Sequence, residues 1–309
     1  MWGEGGDMRV IFCDSVFDHK LIEPDYEEEM KAAIGAGFIT SLFSFEDLTD
    51  GKVGRALRYV KNAEVEELAI YRGWMLTPSS YGLLYDGLLN NNIKLINTPA
   101  EFKSCHYLPE FYPKIKALTP KSNWTVGQEM TNLEVINSLT DEFGNAPIIV
   151  KDYVKSEKHN WHEACYIPDA SNKDNVLKIV EKFIELRGSA LNEGLVFRKF
   201  EELEFLTEHS KSGMPLTREY RLFFVFGKLV KLFNYWDEGD YGDTIPDLTP
   251  FFDVAKAIDS NFFTMDIAKK TNDEWIIIEL GDGQTAGLPD NANKEEFYME
   301  LNKNIRQHI

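Results

Sequence analysis

Charged side chains inside otherwise apolar strands constrain this chain more than any other feature of its sequence. The stretch TREYRLFFVFGKLVKLFNYW (217–236) alternates apolar residues in two runs around Gly227-Lys228, which predicts a β-hairpin. Its first strand carries Glu219 and Arg221, which lie two residues apart and therefore on the same face. Burying such charges is costly unless each is paired, so the strand must have partners for them.

The same pattern recurs on four other predicted strands. Lys151 ends PIIVK, Arg198 and Lys199 interrupt GLVFRKF, Asp266 follows FFTM, and Glu279 ends EWIIIE with Asp282 in the turn after it. Lysine and arginine suit phosphates, and two or three carboxylates suit Mg²⁺, which shares its remaining ligands with substrate phosphates. Together the two sets predict a site for a nucleotide and Mg²⁺.

Most of these positions also have a plainer interpretation. The alternatives are a solvated lysine for Lys151, a cross-strand ion pair for Glu219 with Arg221, and the start of a turn for Asp266. Glu279 and Asp282 are harder to explain in this way because an apolar run leads directly into ELGDG. The ordered series of charges, rather than any one of them, favours the nucleotide site.

The predicted elements indicate an α+β protein. Strands and helices alternate over about the first hundred residues, starting with the buried strand MRVIFCDS, as in a small α/β domain. From residue 100 to 145 the pattern is helical, and beyond it antiparallel hairpins alternate with the helices KDNVLKIVEKFIELRG, TPFFDVAKAIDS and NKEEFYMELNKNIRQ. We predict two domains, 1–105 and 106–309.

Composition narrows the function classes. The 309 residues carry a net charge of −18, which argues against non-specific attraction to nucleic acid or to anionic membranes. The three cysteines form no CxxC pair, the N-terminus lacks the features of a signal peptide, and no apolar run reaches the roughly 18 residues of a membrane span. We therefore expect a cytoplasmic protein with reduced thiols.

Two further segments carry reactive side chains. In SEKHNWHEACY, His159, Trp161 and His162 suit either a substrate mouth or lid, or a solvated loop anchored by its tryptophan. The set His159, His162 and Cys165 lacks a second pair at zinc spacing, so no zinc site is expected. Cys105-His106 suggests a thiol nucleophile, but no ordered triad accompanies it.

Two more segments are candidates for substrate contacts. YRGWMLTPSSYGLLYDGL (71–88) fits an acceptor-substrate wall or ordinary core packing equally well. DEGDYGD (237–243) fits a solvated acidic loop or a site for a cationic or amine substrate.

The ordered strand motifs resemble the ATP-grasp superfamily, and within it the bacterial and phage clade in which arginine replaces a phosphate-binding lysine. The resemblance covers about residues 146–290 and is most specific in VKDYVKS-KH-W, LVFRKFEELE and W-I-IELGDGQ-AGLP. It implies an ATP-grasp fold preceded by an α/β pre-ATP-grasp domain. In that fold two α+β subdomains bind ATP between antiparallel sheets.

The resemblance assigns residues to ATP binding. It places Lys151 at the α and β phosphates, Lys155 on the γ-phosphate side, and Arg198 where many relatives have a second phosphate-binding lysine. Its adenine-binding hinge comprises Lys199, Phe200, Glu201, Glu202 and Leu203. Glu202 or Glu204 would lie near the ribose.

The resemblance also assigns catalytic and metal-binding roles. Arg221 faces the phosphoryl group in transit, acting with Arg198 and Lys151, while Glu219 holds Arg221 or another cation. Mg²⁺ is bound by Asp266 and Glu279. Many relatives continue this strand as Glu-x-Asn, whereas here it reads Glu279-Leu280-Gly281-Asp282. Either Asp282 supplies the missing ligand, or a metal site and turnover are lost.

The implied activity is that of a carboxylate–amine ligase that uses Mg-ATP and an acyl-phosphate intermediate, with a peptide or protein among the candidate substrates. An alternative is an ATP-binding assembly factor without turnover, similar to the cell-division-cycle 123 proteins. A kinase-like phosphotransferase on the same scaffold is a third interpretation. Phosphate release, partner capture and a stable phosphorylated product would distinguish the three.

Overall fold

The computed structural model describes residues 8–243 and 245–308, without the side chain of Gln128. Tertiary contacts divide these residues into two units. Unit 1 comprises the described parts of Met1–Cys105, Leu206–Ile267 and Leu280–Ile309, and unit 2 comprises His106–Phe205 and Ala268–Glu279. The predicted domains 1–105 and 106–309 stay a prediction, and the first seven residues, on which the expectation of no signal peptide partly rests, lie outside the described residues.

Strands and helices alternate in the first part of unit 1. In chain order they are β1 (Met8–Cys13), α1 (Glu27–Gly35), β2 (Ile39–Phe43), α2 (Phe45–Thr49), α3 (Val53–Ala56), β3 (Glu67–Arg72), α4 (Pro78–Leu89), β4 (Ile93–Leu95) and α5 (Pro99–His106). The strands pair in parallel in the order β2-β1-β3-β4. The predicted α/β alternation is therefore confirmed.

The central part of the chain forms most of unit 2. Its elements are α6 (Leu108–Ile115), β5 (Ser122–Trp124), α7 (Leu133–Asp141), β6 (Ile148–Asp152), α8 (Trp161–Ala164), β7 (Tyr166–Ile167), α9 (Lys173–Arg187) and β8 (Leu195–Lys199). The strands form an antiparallel sheet in the order β5-β8-β6-β7. One face of this sheet, with Ile148, Val150, Leu195 and Phe197, packs in a core with Phe183 of α9.

The last part of the chain adds antiparallel hairpins and two helices. The elements are β9 (Phe205–Glu208), β10 (Pro215–Thr217), β11 (Glu219–Val225), β12 (Lys228–Asn234), α10 (Thr249–Ala255), β13 (Phe262–Lys269), β14 (Trp275–Asp282) and α11 (Lys294–Arg306). Their sheets have the orders β10-β9 and β12-β11-β13-β14. Both β13 and β14 contribute residues to each unit. Short 3₁₀ helices occupy Pro24–Tyr26, Lys116–Leu118, Gly127–Thr131, Lys158–Asn160 and Gly188–Ala190.

The hairpin of β11 and β12 is present, but its turn lies one residue earlier than predicted. Phe226 and Gly227 both have positive φ, 48° and 72°, and β12 already begins at Lys228. Positive φ at both central residues suits the twist of a two-residue hairpin, and glycine adopts it without steric cost.

Strand β1 organises the core of unit 1 because it is buried along its whole length. Val10 and Phe12 belong to one apolar cluster, which also holds Phe223 of β11 and Phe297 of α11. The alternate residues, among them Ile11, belong to a second cluster with α4. Burial on both faces is what a central parallel strand requires.

Among the described residues, no helix combines the length and the apolar character that a membrane crossing demands.

Candidate functional site

Two of the predicted phosphate-binding cations lie on one face of the unit 2 sheet. Lys151 of β6 pairs with Val196, and Arg198 of β8 pairs with Ile149. Because directly paired residues in antiparallel strands point to the same side and alternate residues share a face, Lys151 and Arg198 are on the same face. This face is opposite to the one that packs in the α9 core.

Arg198 is nearly inaccessible, with 5% of its surface exposed, and only part of its guanidinium is satisfied. Its Nη2 donates to Thr119 Oγ1 and to the carbonyl oxygen of Ile278, both at 2.8 Å, and to that of Ile277 at 3.3 Å. Its Nη1 is buried and has no hydrogen-bond partner among the described residues. Burial lowers the pKa of Arg198 to about 10, so it remains a cation at neutral pH. A buried, unpartnered donor on a cation is suited to an anionic ligand.

Lys151 and the predicted metal ligand Glu279 form an ion pair within unit 2. Lys151 Nζ lies 3.3 Å from Glu279 Oε1, and the lysine side chain is 12% exposed. Burial by itself would raise the pKa of Glu279, but the positive charges of Lys151, Lys158 and Lys155 outweigh it and lower that pKa. Burial and the neighbouring lysines lower the pKa of Lys155. A phosphate would relieve the crowding of these cations.

The backbone of the predicted hinge, residues 199–203, and of the next residue, Glu204, is bonded to the end of β13 and the turn after it. Glu204 N donates to the carbonyl oxygen of Lys269 at 2.7 Å, and the carbonyl oxygen of Glu202 accepts from Thr271 N at 3.1 Å. Leu203 forms an isolated antiparallel bridge with Lys270. The Glu204 carboxylate also lies 2.6 Å from Lys269 Nζ. Whether the hinge binds adenine and ribose stays a prediction.

An aromatic cluster that the sequence did not single out surrounds Phe200 of the hinge. The ring of Tyr166 lies 5.1 Å from that of Phe200, and Trp161 stacks on Tyr166 at 5.4 Å with an angle of 13° between the planes. Trp161 begins α8, so the segment predicted to be a loop is partly helical. Whether this segment lines a substrate mouth stays a prediction. Thr119 is a unit 2 residue that was missed, because it lies outside the strands with an apolar pattern. Lys158 belongs to the motif VKDYVKS-KH-W, but no role was predicted for it.

Unit 1 contains the second predicted set, built on Arg221 and Asp266. Arg221 Nε and Nη2 donate to the two carboxylate oxygens of Asp266 at 2.8 and 2.7 Å, and Nη1 donates to the carbonyl oxygen of Gly287 at 3.0 Å. The guanidinium carbon lies 4.8 Å from the ring centroid of Tyr235. A bidentate pair with a stacked ring fixes the orientation of the arginine.

Glu219, the acidic residue two positions before Arg221 in β11, is buried in the same unit. Its carboxylate accepts a hydrogen bond from the hydroxyl of Thr217. The bidentate partner of Arg221 is Asp266 of β13. The roles predicted for Glu219 and Arg221 at a nucleotide stay predictions.

Asp282 is almost completely buried and has partners inside unit 1. Its Oδ2 accepts from Asn97 Nδ2 at 2.6 Å, and its Oδ1 accepts from the backbone and side-chain nitrogens of Gln284 at 2.9 and 3.1 Å. Burial raises its pKa to about 7. Its predicted role as a metal ligand stays a prediction, and these contacts give the carboxylate a structural role as well.

The glycine at position 281 has a packing explanation. Thr264 Oγ1 on β13 donates to the carbonyl oxygen of Gly281 at 3.4 Å. A Cβ at position 281 would lie 2.8 Å from that hydroxyl oxygen. Thr264 thus fills the space that a side chain at 281 would enter.

The acidic residues offer oxygen ligands without forming a preassembled metal cage. Among the described residues, no group of three or more histidine, cysteine, aspartate or glutamate side chains is arranged to hold a metal ion. Mg²⁺ generally binds one or two protein carboxylates together with substrate phosphates, so the chemistry of Asp266 and Glu279 fits this cation.

Comparisons with known proteins identify the family and the fold. The model of an ATP-grasp domain family, family 3 of the arginine-for-lysine clade, matches residues 142–301. No protein of curated function matches the sequence.

Several solved structures have the same fold. A RimK domain ATP-grasp protein from Sphaerobacter thermophilus DSM 20745 is 11% identical, with a TM-score of 0.59 and coverage of 96% of this chain and 98% of that one. The ATP-grasp ligase PsnB, solved with minimal precursor, Mg and ADP, is 10% identical, with a TM-score of 0.56 and coverage of 97% and 98%. The D-alanine-D-alanine ligase from Coxiella burnetii is 12% identical, with a TM-score of 0.57 and coverage of 98% and 96%. These likenesses confirm the α+β ATP-grasp fold.

Proposed function

The chain belongs to family 3 of the arginine-for-lysine clade of ATP-grasp domains, and from this premise we propose that it is an ATP-dependent carboxylate–amine ligase. The observation that carries the proposal is Arg198, a buried arginine with an unpartnered Nη1 on the same sheet face as Lys151. The titles of the similar structures, which name ligases with Mg and ADP or with a precursor peptide, support ligation, Mg-ATP and a peptide among the candidate substrates. A cytoplasmic location also stays a prediction.

In this proposal the cations of unit 2 bind the triphosphate. Lys151 and Arg198 contact the phosphates directly, and Lys155 lies on the γ side. Lys155 follows the strand end at Asp152, whose carboxylate accepts the Lys155 backbone N–H at 2.5 Å and fixes the start of the loop. Backbone groups of residues 199–203 bind adenine. Catalysis then depends mainly on positioning and on neutralising phosphoryl charge.

In this proposal the reaction has two steps. A substrate carboxylate oxygen attacks the γ-phosphorus of ATP, and the bond between the γ-phosphorus and the bridging oxygen of the β-phosphate breaks. This step forms an acyl phosphate and releases ADP. An amine then attacks the acyl carbon, and inorganic phosphate leaves as the amide forms and the amine loses a proton. Arg221, held by Asp266, neutralises charge on the phosphoryl group.

Asp266 and Glu279 are the residues proposed to hold Mg²⁺, with Asp282 as the third predicted ligand. Bound there, the cation would offset the charge of the phosphate oxygens. Glu279 is the better placed of these acids for binding, because 40% of its side chain is exposed and its lowered pKa keeps it ionised.

Calorimetric titration with a non-hydrolysable ATP analogue and Mg²⁺ tests the nucleotide site. We expect Lys151→Ala to weaken binding and Glu279→Gln to remove its Mg²⁺ dependence. Lys182→Ala is the matched control, since Lys182 is an exposed lysine of α9 paired with Glu185. Absence of binding by the wild-type protein would refute the proposal, as would equal effects of Lys151→Ala and the control.

The packing at Gly281 favours one alternative, an ATP-binding assembly factor without turnover. Thr264 occupies the space of the missing ligand, so a metal site of the relatives' type is incomplete at this position. Phosphate release in the presence of candidate carboxylates and amines distinguishes the two functions. Tight ATP binding with no phosphate release, together with a co-purifying protein, would favour the assembly factor.

A further inference from the structure

The segment between β6 and α8 carries two lysines near Glu279. We call its residues 153–158 the lysine loop. Burial alone would raise the pKa of the Glu279 carboxyl, but nearby lysines, Lys158 and Lys155 of the loop among them, lower it. Like charges repel, so contacts elsewhere in unit 2 must hold the loop in this arrangement.

Asp152, the last residue of β6, anchors the start of the lysine loop. Its buried carboxylate accepts through Oδ1 from the backbone N–H groups of Val154 at 2.7 Å and Lys155 at 2.5 Å. Its own N–H donates to the carbonyl oxygen of Lys155 at 2.8 Å, which closes a tight turn. Oδ2 accepts from the backbone and side-chain nitrogens of Asn192, both at 3.1 Å. A buried carboxylate with donors on both oxygens fixes the backbone around it.

Arg187, the last residue of α9, connects this anchor to the middle of the lysine loop. Its Nε donates to Asp152 Oδ2 at 3.2 Å, and its Nη1 donates to Glu157 Oε1 at 3.4 Å. Its Nη2 donates to the carbonyl oxygen of Ala190 at 2.7 Å. The side chains of Arg187 and Glu157 are only 16% and 18% exposed. The planar guanidinium presents its donors in fixed directions, so one side chain orients both acids and the turn after α9.

The pairing of Glu157 also affects the charge of the loop. Glu157 lies between Lys155 and Lys158 in the sequence, and a free carboxylate there would repel a phosphate. Its Oε1 instead accepts from Arg187, and its Oε2 accepts from Asn160 Nδ2 at 3.4 Å. Both oxygens therefore have donors, and the positive charges of the two lysines remain available to an anionic ligand.

We propose that Arg187 is a positioning residue for the nucleotide. By holding Asp152 and Glu157, it fixes the lysine loop. The loop then presents Lys155 and Lys158 to the terminal phosphate of ATP. Arg187 thereby determines the preference for a triphosphate over a diphosphate, because a diphosphate lacks the phosphate that these lysines bind. The proposal rests on the proposed function, which supplies the ATP site.

Calorimetry with a non-hydrolysable ATP analogue and with ADP, both at constant Mg²⁺, tests the proposal on the intact protein. Glu157→Ala removes one contact of Arg187 and leaves every contact of Asp152 in place. We expect it to weaken the analogue about three- to fivefold and ADP by less than about 1.5-fold. An acid that acted only through its charge would repel phosphate, so its loss would tighten binding. Analogue binding as tight as in the wild type, or tighter, would overturn the proposal.

Variants of Arg187 test the residue itself. Arg187→Met should weaken the analogue about tenfold more than it weakens ADP. Arg187→Lys keeps the charge and can meet one of the two acids, so its preference for the triphosphate should lie between those of Arg187→Met and the wild type. Equal losses for the analogue and ADP in both variants would show a merely structural role and overturn the proposal.

Glu185→Ala is the matched control for Glu157→Ala. It also removes one negative charge from unit 2, but Glu185 is exposed on α9 and pairs with Lys182. We expect it to change neither affinity. An effect equal to that of Glu157→Ala would contradict the proposal, because it would show a general response to charge.

Limited digestion with trypsin, which cuts after lysine, reports on the lysine loop directly. Cleavage after Lys155 and Lys158 should be faster in Glu157→Ala than in the wild type or Glu185→Ala, and the ATP analogue should slow it. Unchanged cleavage in Glu157→Ala would show that Arg187 does not hold the loop through this acid.

The titrations of the wild-type protein separate the two proposals. If the wild type binds the analogue and the variants keep its preference over ADP, the role of Arg187 is wrong and the ligase function stands. If the wild type binds neither nucleotide, the proposed nucleotide site is wrong, and the role of Arg187 is refuted with it.

Discussion

Replacing Arg198 by lysine tests the residue on which the proposed function rests. Lysine keeps the positive charge but has a single side-chain nitrogen. In arginine, Nη2 donates to Thr119 Oγ1 and to the carbonyl oxygen of Ile278, while Nη1 has no partner among the described residues. A lysine at 198 can therefore satisfy either the protein acceptors or a phosphate, but not both sets.

The size of the effect follows from the contact that is lost. A hydrogen bond to a charged group contributes about 1.5–3 kcal/mol, so Arg198→Lys should weaken the ATP analogue roughly ten- to 150-fold. Calorimetry at constant Mg²⁺ measures this change directly. The magnesium dependence should persist, because Glu279 is unchanged.

Thr119→Val is the matched control for Arg198→Lys. It removes one of the three acceptors of Nη2 and leaves the charge, Nη1 and both carbonyl contacts in place. We expect analogue binding within about threefold of the wild type. If Arg198→Lys binds the analogue as tightly as the wild type, Nη1 does not bind phosphate and the central observation of the proposed function is wrong.

Three further predictions concern stability. Arg72→Met should lower the free energy of unfolding by about 3–5 kcal/mol, because it strands the buried carboxylate of Glu29, and urea denaturation measures this loss. Burial lowers the pKa of His106 to about 4. The neutral histidine therefore makes its full contribution to stability above about pH 6.5, and this contribution is lost as the pH falls toward 4. His106→Gln should remove about 2 kcal/mol of the decrease in the free energy of unfolding between pH 7.5 and 5. Gly281→Ala should cost about 1–3 kcal/mol, and Thr264→Ala in the same chain should recover part of it.

Each of these predictions has an outcome that contradicts it. Lys31→Met, in an exposed pair with Glu27, should leave the free energy of unfolding nearly unchanged. An equally small effect of Arg72→Met would contradict the importance of burial. A His106→Gln variant that keeps the full acid sensitivity would show that other groups cause it. Additive effects of Gly281→Ala and Thr264→Ala would show that the two positions do not compete for space.

The sequence predicts the elements of this fold well and their pairing poorly. Period-two alternation identified the strand with Glu219 and Arg221, but the bidentate partner Asp266 comes from a strand 45 residues later. Strand register depends on which hydrophobic faces meet in three dimensions, so the local sequence does not specify it. The acid nearest in the sequence was therefore only one of the candidate partners.

Short elements escaped the sequence patterns for a different reason. The strand Ser122–Trp124 lies in a stretch predicted to be helical, and it is only three residues long. Its pairing with β8 holds it in place, since Ser122 pairs directly with Arg198. Three residues are too few for alternation to be distinguished from helical spacing.

Arg72 shows how the sequence underestimates a buried charge. It ends a short apolar run, where a solvated arginine is the ordinary expectation, yet it is 1% exposed. Its partners Glu29, Gly283 and Ala286 lie 43, 211 and 214 residues away along the chain. Nothing in the neighbourhood of residue 72 encodes contacts at such separations.

The same cluster around Arg72 sets an order in which the chain becomes folded as the ribosome makes it. Arg72 donates to the carbonyl oxygen of Gly283, and its partner Glu29 also accepts from the hydroxyl of Tyr298. Both Gly283 and Tyr298 are synthesised more than 200 residues after Arg72. Until they emerge, the N-terminal parallel sheet has a charge without its full set of acceptors and an apolar face without α11. Residues 106–205 of unit 2 are contiguous and can begin to pack earlier. We therefore expect the first part of the chain to become stable late in synthesis, once α11 is available to it.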